Sequence, residues 1–163
     1  MIDIIGLVIV YFTIFYKRWK KKGVSKLIIN TLMYIYLSMV LYVTLMPIIP
    51  SLPMIFNHPY KAMSMIPFDD YLSGRGDTVR QIVLNVIMMI PFGFLLPIVK
   101  KQSLVTSLMW TFLLSLSIEL IQPLINSYRA SDITDLITNT IGGLIGYLIY
   151  RILRPFILRI IKH

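Results

Sequence analysis

The sequence predicts an all-α, polytopic membrane protein, a helix bundle with about five transmembrane helices. Three observations predict this fold: the composition, a series of long apolar runs, and the placement of the basic residues. Of 163 residues, 57% are hydrophobic and only 14% are charged, and the mean hydropathy is +0.78, whereas about a quarter of the residues in soluble proteins are charged. A chain of this length usually forms one domain. In lipid, that domain has to be built by packing helices that satisfy their own backbone hydrogen bonds.

Five apolar runs are candidates for the spanning helices, at residues 2–16, 27–49, 81–99, 104–125 and 133–153. A bilayer core of about 30 Å needs roughly 20 helical residues, so the last four runs are long enough. The first run is short, but Tyr11, Tyr16 and Trp19 are placed to anchor its end at a membrane interface. A cleaved signal peptide is the alternative for this run. Its basic residues follow the apolar stretch instead of preceding it, so we expect it to be retained and to span.

The basic residues predict the orientation of the bundle. The first connection holds six of them, which places it in the cytoplasm by the positive-inside rule. Alternation then puts the amino terminus and the connections 50–80 and 126–132 outside. It puts Lys100, Lys101 and the basic carboxyl-terminal segment inside. We therefore predict three regions: residues 1–26 with the first helix and a basic loop, a transmembrane domain at 27–153, and a basic cytoplasmic tail at 154–163.

The acidic residues gather on the opposite side from the basic ones. Six of the seven fall in or beside the predicted outer connections, and Glu119 lies in the outer part of the fourth run. Acidic residues contribute little to membrane topology, so insertion does not require this segregation. Either the acids merely avoid the basic side, or they form an outward-facing polar site.

Polar residues inside the runs favour a site. Asn85, Glu119, Gln122 and Asn139 come from three runs and lie at a similar depth, about 9 Å from the predicted outer helix ends. An ionisable residue in a spanning segment is costly, and its default interpretation is functional. The flanking arginines could neutralise the carboxylates or bind a phosphate or carboxylate of a ligand. The predicted ligand-binding residues are Arg80, Asn85, Glu119, Gln122, Arg129, Asp132, Asp135 and Asn139.

Two structural explanations compete with ligand binding. Interhelical hydrogen bonds between polar side chains can hold a membrane bundle together, and they account well for Asn85, Gln122 and Asn139. Asp132 stands where a helix begins, and for this residue capping of free backbone N–H groups is the preferred explanation. Neither accounts as well for Glu119, because a buried carboxylate needs a partner.

Prolines and glycines mark the third and fifth runs. Pro91, Gly93 and Pro97 predict a kink or a break in the third helix, and a broken helix could line a cavity as in some transporters. Gly142, Gly143 and Gly146 predict close helix packing in the fifth, either within the chain or in a homo-oligomer.

The outer connection at residues 50–80 is too apolar for a disordered linker and too long for a turn, which predicts a docked or functional loop. Asp69 and Asp70 in this loop are candidates to join the site from above. The chain lacks nucleotide-binding loops, histidine-rich metal spacings and cysteine. We therefore predict no cofactor, no metal and no nucleic-acid partner, with the lipid bilayer as the main surrounding.

Five segments resemble the VanZ-like family: "YVTLMPI", "MIPFDDYL", "LNVIMMIPFGFLLP", "SLSIELIQPLI" and "RASDITDLITNTIGGLIGYLI". The resemblance runs in order over residues 31–150, and Tyr128 stands where many members have glycine. This family is named for a protein associated with low-level resistance to the glycopeptide teicoplanin. The resemblance implies a multi-pass protein of the bacterial plasma membrane, and it implies no particular reaction.

Three functions fit these observations, and we favour the first. The protein is a non-catalytic cell-envelope factor whose outward polar cleft binds a lipoglycopeptide or a lipid-linked cell-wall precursor, contributing to teicoplanin-type resistance. The second is an enzyme acting on a lipid-linked substrate, with Glu119 or Asp135 as general acid or base and Arg80 or Arg129 holding a phosphate. The third is a small transporter.

Overall fold

The computed structural model describes residues 2–55, 57, 59–126 and 129–162, without the side chains of Met54 and residues 160–162. Tyr128, where the sequence departs from the family pattern, lies outside the described residues. Over the described part of the chain the structure is helical, with one isolated β-bridge between Ser64 and Asp132. The predicted all-α fold is confirmed. The elements are α1 (Ile2–Val10), a π-helix (Tyr11–Tyr16), α2 (Lys17–Lys20), α3 (Val24–Thr44), a 3-10 helix (Ile49–Met54), α4 (Asp69–Leu72), α5 (Thr78–Val99), α6 (Leu104–Ile125) and α7 (Ile133–Lys162).

Four of these helices, α3, α5, α6 and α7, are long and apolar enough to cross a membrane. Their outward faces carry large apolar side chains, among them Ile87, Met109 and Ile152, each about half exposed or more. An apolar surface of this extent fits a lipid environment better than water. The first run is helical as α1, the π-helix and α2, but it does not reach the length of the other four. A fifth span and the direction of the bundle stay predictions.

The amino-terminal helical segment packs antiparallel to α3. The Tyr11 hydroxyl lies 2.8 Å from Thr31 Oγ1, and the Tyr34 hydroxyl donates to the carbonyl of Leu7 at 2.7 Å. Asp3 is buried, and its Oδ1 accepts a hydrogen bond from the backbone N–H of Ile49 at 2.8 Å. The start of α1 therefore lies beside the chain that follows α3, which is the arrangement a spanning first helix requires.

The largest differences from the predicted helix boundaries are at the ends of α3 and α7. Helix α3 ends at Thr44 instead of residue 49, because a residue that precedes proline, here Met46, is disfavoured in helical conformation. Helix α7 continues through Pro155 to Lys162, so the predicted tail at 154–163 is helical as far as Lys162. At 30 residues this helix is about 45 Å long, which exceeds the thickness of a bilayer core.

Helix α7 packs against α5 and α6 along its glycines. A Cβ on Gly142 would lie 2.3 Å from the carbonyl oxygen of Val86, and a Cβ on Gly146 would lie 2.0 Å from that of Ile90. Gly143 approaches a side chain of α6 just as closely. The packing role of these glycines is confirmed within the chain. Because α5 and α6 of the same chain cover this face, the structure gives no support to the predicted homo-oligomer through it.

Helix α5 is continuous from Thr78 to Val99 with Pro91 and Pro97 inside it. Of the kink or break predicted here, the break is therefore wrong, and a kink stays a prediction. A proline weakens the helical hydrogen bonds of the turn before it, and freed carbonyls in a membrane helix need other partners. Pro91 leaves the carbonyl of Ile87 without its helical donor. The Tyr36 hydroxyl of α3 donates to the neighbouring carbonyl of Met88 at 2.7 Å. Gly93 in the same stretch lets α7 approach closely.

Candidate functional site at the outer helix ends

The end of the bundle where α3 and α6 finish and α5 and α7 begin is called the outer end here. The loop that precedes α5 is docked there on the start of α7. The backbone N–H of Ser64 donates to the carbonyl of Ser131 at 2.9 Å, and the N–H of Ile133 donates to the carbonyl of Ser64 at 3.0 Å. The N–H of Phe68 donates to Thr134 Oγ1 at 2.9 Å. The prediction of a docked loop is confirmed.

Asp69 and Asp70 do not join the polar cluster from this loop. Both lie in the first turn of α4 and form ion pairs with Arg75, the Arg75 Nε to Asp70 Oδ1 distance being 3.0 Å. All three side chains are substantially exposed. These pairs therefore hold the short α4 turn together at the surface.

Glu119 is 2% exposed and binds the chain that leads into α7 at two points. Its Oε2 accepts a hydrogen bond from the backbone N–H of Asp132 at 3.0 Å. Its own carbonyl lacks the usual helical donor, because residue 123 is a proline and has no N–H. The Ser131 hydroxyl donates to that carbonyl instead. Glu119 and Pro123 together fix the position of the α6–α7 connection.

The other polar residues predicted on α7 also bind partners within the chain. Asp132 Oδ1 accepts the backbone N–H of Thr134 at 2.8 Å, which is the capping contact expected of this residue. Asn85 Nδ2 of α5 donates to Asp135 Oδ1 at 2.7 Å. These contacts bind the first turn of α7 to itself and to α5.

Deeper in the bundle, Asn139 is 2% exposed, and its Nδ2 donates to Ser115 Oγ of α6 at 2.9 Å. Ser115 belongs to a row of polar residues on one face of α6 that was not predicted from the sequence. In this row, Ser107, Thr111, Ser115 and Glu119 recur at every fourth position. All four are buried. The sequence signal was this fourfold spacing, which places small polar side chains on one helix face. Such residues let helices approach closely and hydrogen-bond across the interface.

The two arginines predicted to neutralise the carboxylates lie outside the cluster. The Arg80 side chain is 74% exposed and reaches Asp77 at 4.0 Å. Arg129 is exposed and interacts electrostatically with Glu119 and Asp135 over a longer distance. Among the described residues, neither arginine forms an ion pair with these two carboxylates. The cationic groups therefore stay available at the outer surface.

A cavity of about 340 Å³ opens at the outer end between the end of α3 and the end of α6. Gln122 lies in its wall, where Nε2 donates to the carbonyl of Thr44 at 3.2 Å. Arg129 also lines it. The remaining wall is mixed, with the apolar Val43, Leu45 and Ile125 beside the polar Thr44, Ser51 and Asn126. The cavity thus combines a cation and an amide with an apolar surface.

Comparison with known proteins places this architecture in a family. The sequence model of the VanZ/LLP1 family matches residues 31–154. This chain belongs to the VanZ/LLP1 family. It is 32% identical over 127 residues to Protein VanZ of Enterococcus faecium, a match that covers 77% of this chain and 75% of that protein. No solved structure matches the chain.

The VanZ/LLP1 region begins within α3 and contains α5, α6 and most of α7. All eight predicted ligand-binding residues fall inside it. Of these, the structure brings Gln122 and Arg129 to the outer cavity, engages Asn85, Glu119, Asp132, Asp135 and Asn139 in hydrogen bonds within the chain, and leaves Arg80 exposed. Binding of a ligand by any of them stays a prediction. The segment formed by α1, the π-helix and α2 lies outside the family region.

Proposed function

We propose that this VanZ/LLP1 protein is a non-catalytic factor of the bacterial cell membrane that binds a lipid-tailed or lipid-linked ligand at its outer cavity. Through that binding it contributes to resistance against teicoplanin-type glycopeptides. Membership of the VanZ/LLP1 family supports the link to resistance, and the four apolar helices support the location in a membrane.

The observation that carries the proposal is the position of Arg129 in the wall of a cavity that is lined by polar and apolar residues together. Arg129 is exposed, and among the described residues it forms no ion pair. A guanidinium group binds carboxylates and phosphates with two parallel hydrogen bonds. A lipoglycopeptide presents a carboxylate and an acyl chain, and a lipid-linked precursor presents phosphate and an isoprenoid chain. Either ligand would match a cation that borders an apolar surface.

The cavity also gives the lipid chain of such a ligand a path. Val43 on α3 lines the cavity and is 63% exposed, and Ile125 lines it from α6. Both helices are candidate membrane spans. We place the polar head of the ligand at Arg129 and Gln122, with its tail along the lipid-facing surface between α3 and α6.

The buried polar residues would position this site without touching the ligand. The Glu119 carboxylate is 2% exposed and already accepts a backbone hydrogen bond, and Asp135 accepts one from Asn85. A general acid or base has to reach the substrate proton. The engagement of these two carboxylates within the chain supports the binding proposal over the enzyme alternative. Their part is to hold the start of α7, and with it the connection that carries Arg129.

A pair of matched variants tests the proposal in cells. Arg129→Gln removes the cation at the cavity, whereas Arg80→Gln removes an equally exposed arginine of an outer loop that does not line it. We expect Arg129→Gln to lower the teicoplanin resistance of a susceptible host toward that of cells lacking the protein. We expect Arg80→Gln to keep the wild-type level, with equal amounts of both variants in the membrane. Equal resistance of the two variants would contradict the proposal.

A further inference from the structure

The opposite end of the bundle contains a second and larger cavity, of about 720 Å³. It lies between the α5–α6 connection and the last part of α7. Lys101, Arg151 and Arg154 line it together with Gln102, Tyr147 and Tyr150. The two tyrosines are buried at its inner side, 5% and 8% exposed. The cavity is therefore a pocket with an aromatic inner side and a cationic border.

No acidic side chain lines this cavity to balance its positive charge. All seven acidic residues of the chain are described, and none of them lines the cavity. Lys101, Arg151 and Arg154 form no ion pair among the described residues. Helix α6 also begins at Leu104 on the border of the cavity, so its positive dipole end adds to the same field. Three unpaired cations around a cavity favour an anionic occupant, and phosphate is an anion that both lysine and arginine bind.

Gln102, an uncharged residue in the cavity wall, indicates which further group the anionic ligand carries. The side-chain oxygen Oε1 of Gln102 is buried and has no hydrogen-bond partner among the described residues. Leaving a buried acceptor without a donor costs free energy, so a ligand that supplies a hydroxyl there gains affinity. The occupant should therefore carry a phosphate and, close to it, a hydroxyl donor.

The position of the cavity in the bundle indicates which kind of molecule supplies this phosphate and hydroxyl. Leu148 lines the cavity and is 48% exposed on α7, a candidate membrane span. Lys26 near the start of α3 donates to the carbonyl of Val99, so this is the end that holds the basic first connection. The positive-inside rule places that end at the cytoplasmic leaflet. A phospholipid of this leaflet would bring its phosphate to the cations and its acyl chains to the apolar border.

We infer that this cavity binds an anionic phospholipid of the phosphatidylglycerol type. Its phosphate lies among Lys101, Arg151 and Arg154, and a glycerol hydroxyl donates to Gln102 Oε1. The inference does not depend on the proposed function, because it concerns the other end of the bundle. Basic pockets between transmembrane helices on the cytoplasmic side are a common form of lipid-headgroup site.

The test measures the thermal unfolding temperature of the purified full-length protein in neutral detergent as lipid is added. A ligand that binds only the folded state raises this temperature. We expect phosphatidylglycerol to raise it at lower concentration than phosphatidic acid, which has the same phosphate but lacks the glycerol of the headgroup. Phosphatidylcholine and inorganic phosphate should have little effect. An equal effect of phosphatidylcholine would overturn the inference, and an equal effect of inorganic phosphate would show an anion site without a lipid.

Substitutions of the cationic residues test whether the lipid raises the unfolding temperature by binding in this cavity. Arg151→Gln with Arg154→Gln should weaken the apparent affinity for phosphatidylglycerol at least about tenfold, as expected for the loss of charge-assisted hydrogen bonds. The matched control is Arg159→Gln, which removes a charge from the same helix outside the cavity. If the double variant does not fold, Lys101→Gln in the exposed connection serves in its place. Full affinity in these cavity variants would overturn the inference.

A separate substitution tests the proposed hydrogen bond from the glycerol hydroxyl to Gln102 Oε1. Gln102→Leu removes the acceptor and leaves all three cations in place. We expect it to abolish the preference for phosphatidylglycerol over phosphatidic acid while both lipids still bind. A preference that survives in Gln102→Leu would overturn the assignment of the glycerol hydroxyl to this residue.

Discussion

The carboxylate of Glu119 on α6 accepts a hydrogen bond from the backbone N–H of Asp132 at 3.0 Å, across the connection to α7. The carbonyl of Glu119 accepts the hydroxyl of Ser131 in the same connection. A carboxylate in a membrane helix is energetically costly, and here the Glu119 carboxylate positions the loop that holds Arg129.

Substitution of Glu119 separates its shape from its charge. Glu119→Ala leaves the N–H of Asp132 without an acceptor, and we expect a loss of about 1–3 kcal/mol in the free energy of unfolding. Glu119→Gln keeps an oxygen that can accept this hydrogen bond, so we expect a smaller loss and retained resistance. Thermal unfolding in detergent and a susceptibility assay measure the two effects. Loss of resistance in Glu119→Gln at normal membrane levels would instead support the enzyme alternative.

Ser131 and Pro123 should be energetically coupled. Ser131→Ala removes the donor to the Glu119 carbonyl, and we expect it to cost about 1–3 kcal/mol, because that carbonyl is left buried and unpaired. Pro123→Ala restores a backbone N–H to the helix at that position, so Ser131→Ala should cost less in this background. A double-mutant cycle of unfolding free energies measures the difference. Additive effects of the two substitutions would contradict the coupling.

Gly146 should tolerate no side chain. The Cβ of Gly146→Ala would lie 2.0 Å from the carbonyl oxygen of Ile90, so α5 and α7 would have to separate. We expect a loss of about 1–3 kcal/mol, typical of overpacking. Gly6→Ala is the matched control in α1, where the nearest atom, Ile49 Cδ1, would lie 4.0 Å from the new Cβ. Equal unfolding temperatures of the two variants would show that the helices do not pack as described.

The sequence predicted the fold well and the site in part, for physical reasons. Hydropathy and length are local properties, so α5, α6 and the start of α7 were found with small boundary errors. The hydrogen-bond partners of Glu119 and Gln122 were not predictable, because they are backbone groups, the N–H of Asp132 and the carbonyl of Thr44, that any residue carries.

The effect of Pro91 on its helix also could not be predicted from the sequence. Pro91 was expected to kink or break its helix, but the helix is continuous, and a hydroxyl from a residue 52 positions earlier binds a carbonyl next to the one that Pro91 leaves without a donor. A hydrogen bond between two helices, like this one, depends on which helices become neighbours in the fold. The same holds for the glycine face of α7. Its spacing indicates close packing but does not distinguish α5 of the same chain from a second copy.

The direction of the bundle is testable because the chain has no cysteine. Single cysteines at Ile2 and Ser73 should react with a membrane-impermeant maleimide in intact cells, since both positions are exposed at the predicted outer end. Cysteines at Lys21 and Lys100 should react only after the membrane is permeabilised. Failure of the Ile2 cysteine to react from outside, with Ser73 reactive, would show that the first helical segment does not span.

The central claim is that Arg129 at the outer cavity holds the polar head of a lipid-tailed ligand. The most direct measurement is the binding of fluorescently labelled teicoplanin to purified protein in nanodiscs, for the wild type, Arg129→Gln and Arg80→Gln. We expect saturable binding to the wild type and Arg80→Gln, weakened at least about tenfold in Arg129→Gln, the loss expected for a charge-assisted hydrogen bond. The same affinity for all three proteins, or no binding of teicoplanin and of a lipid-linked cell-wall precursor to any of them, would contradict the claim.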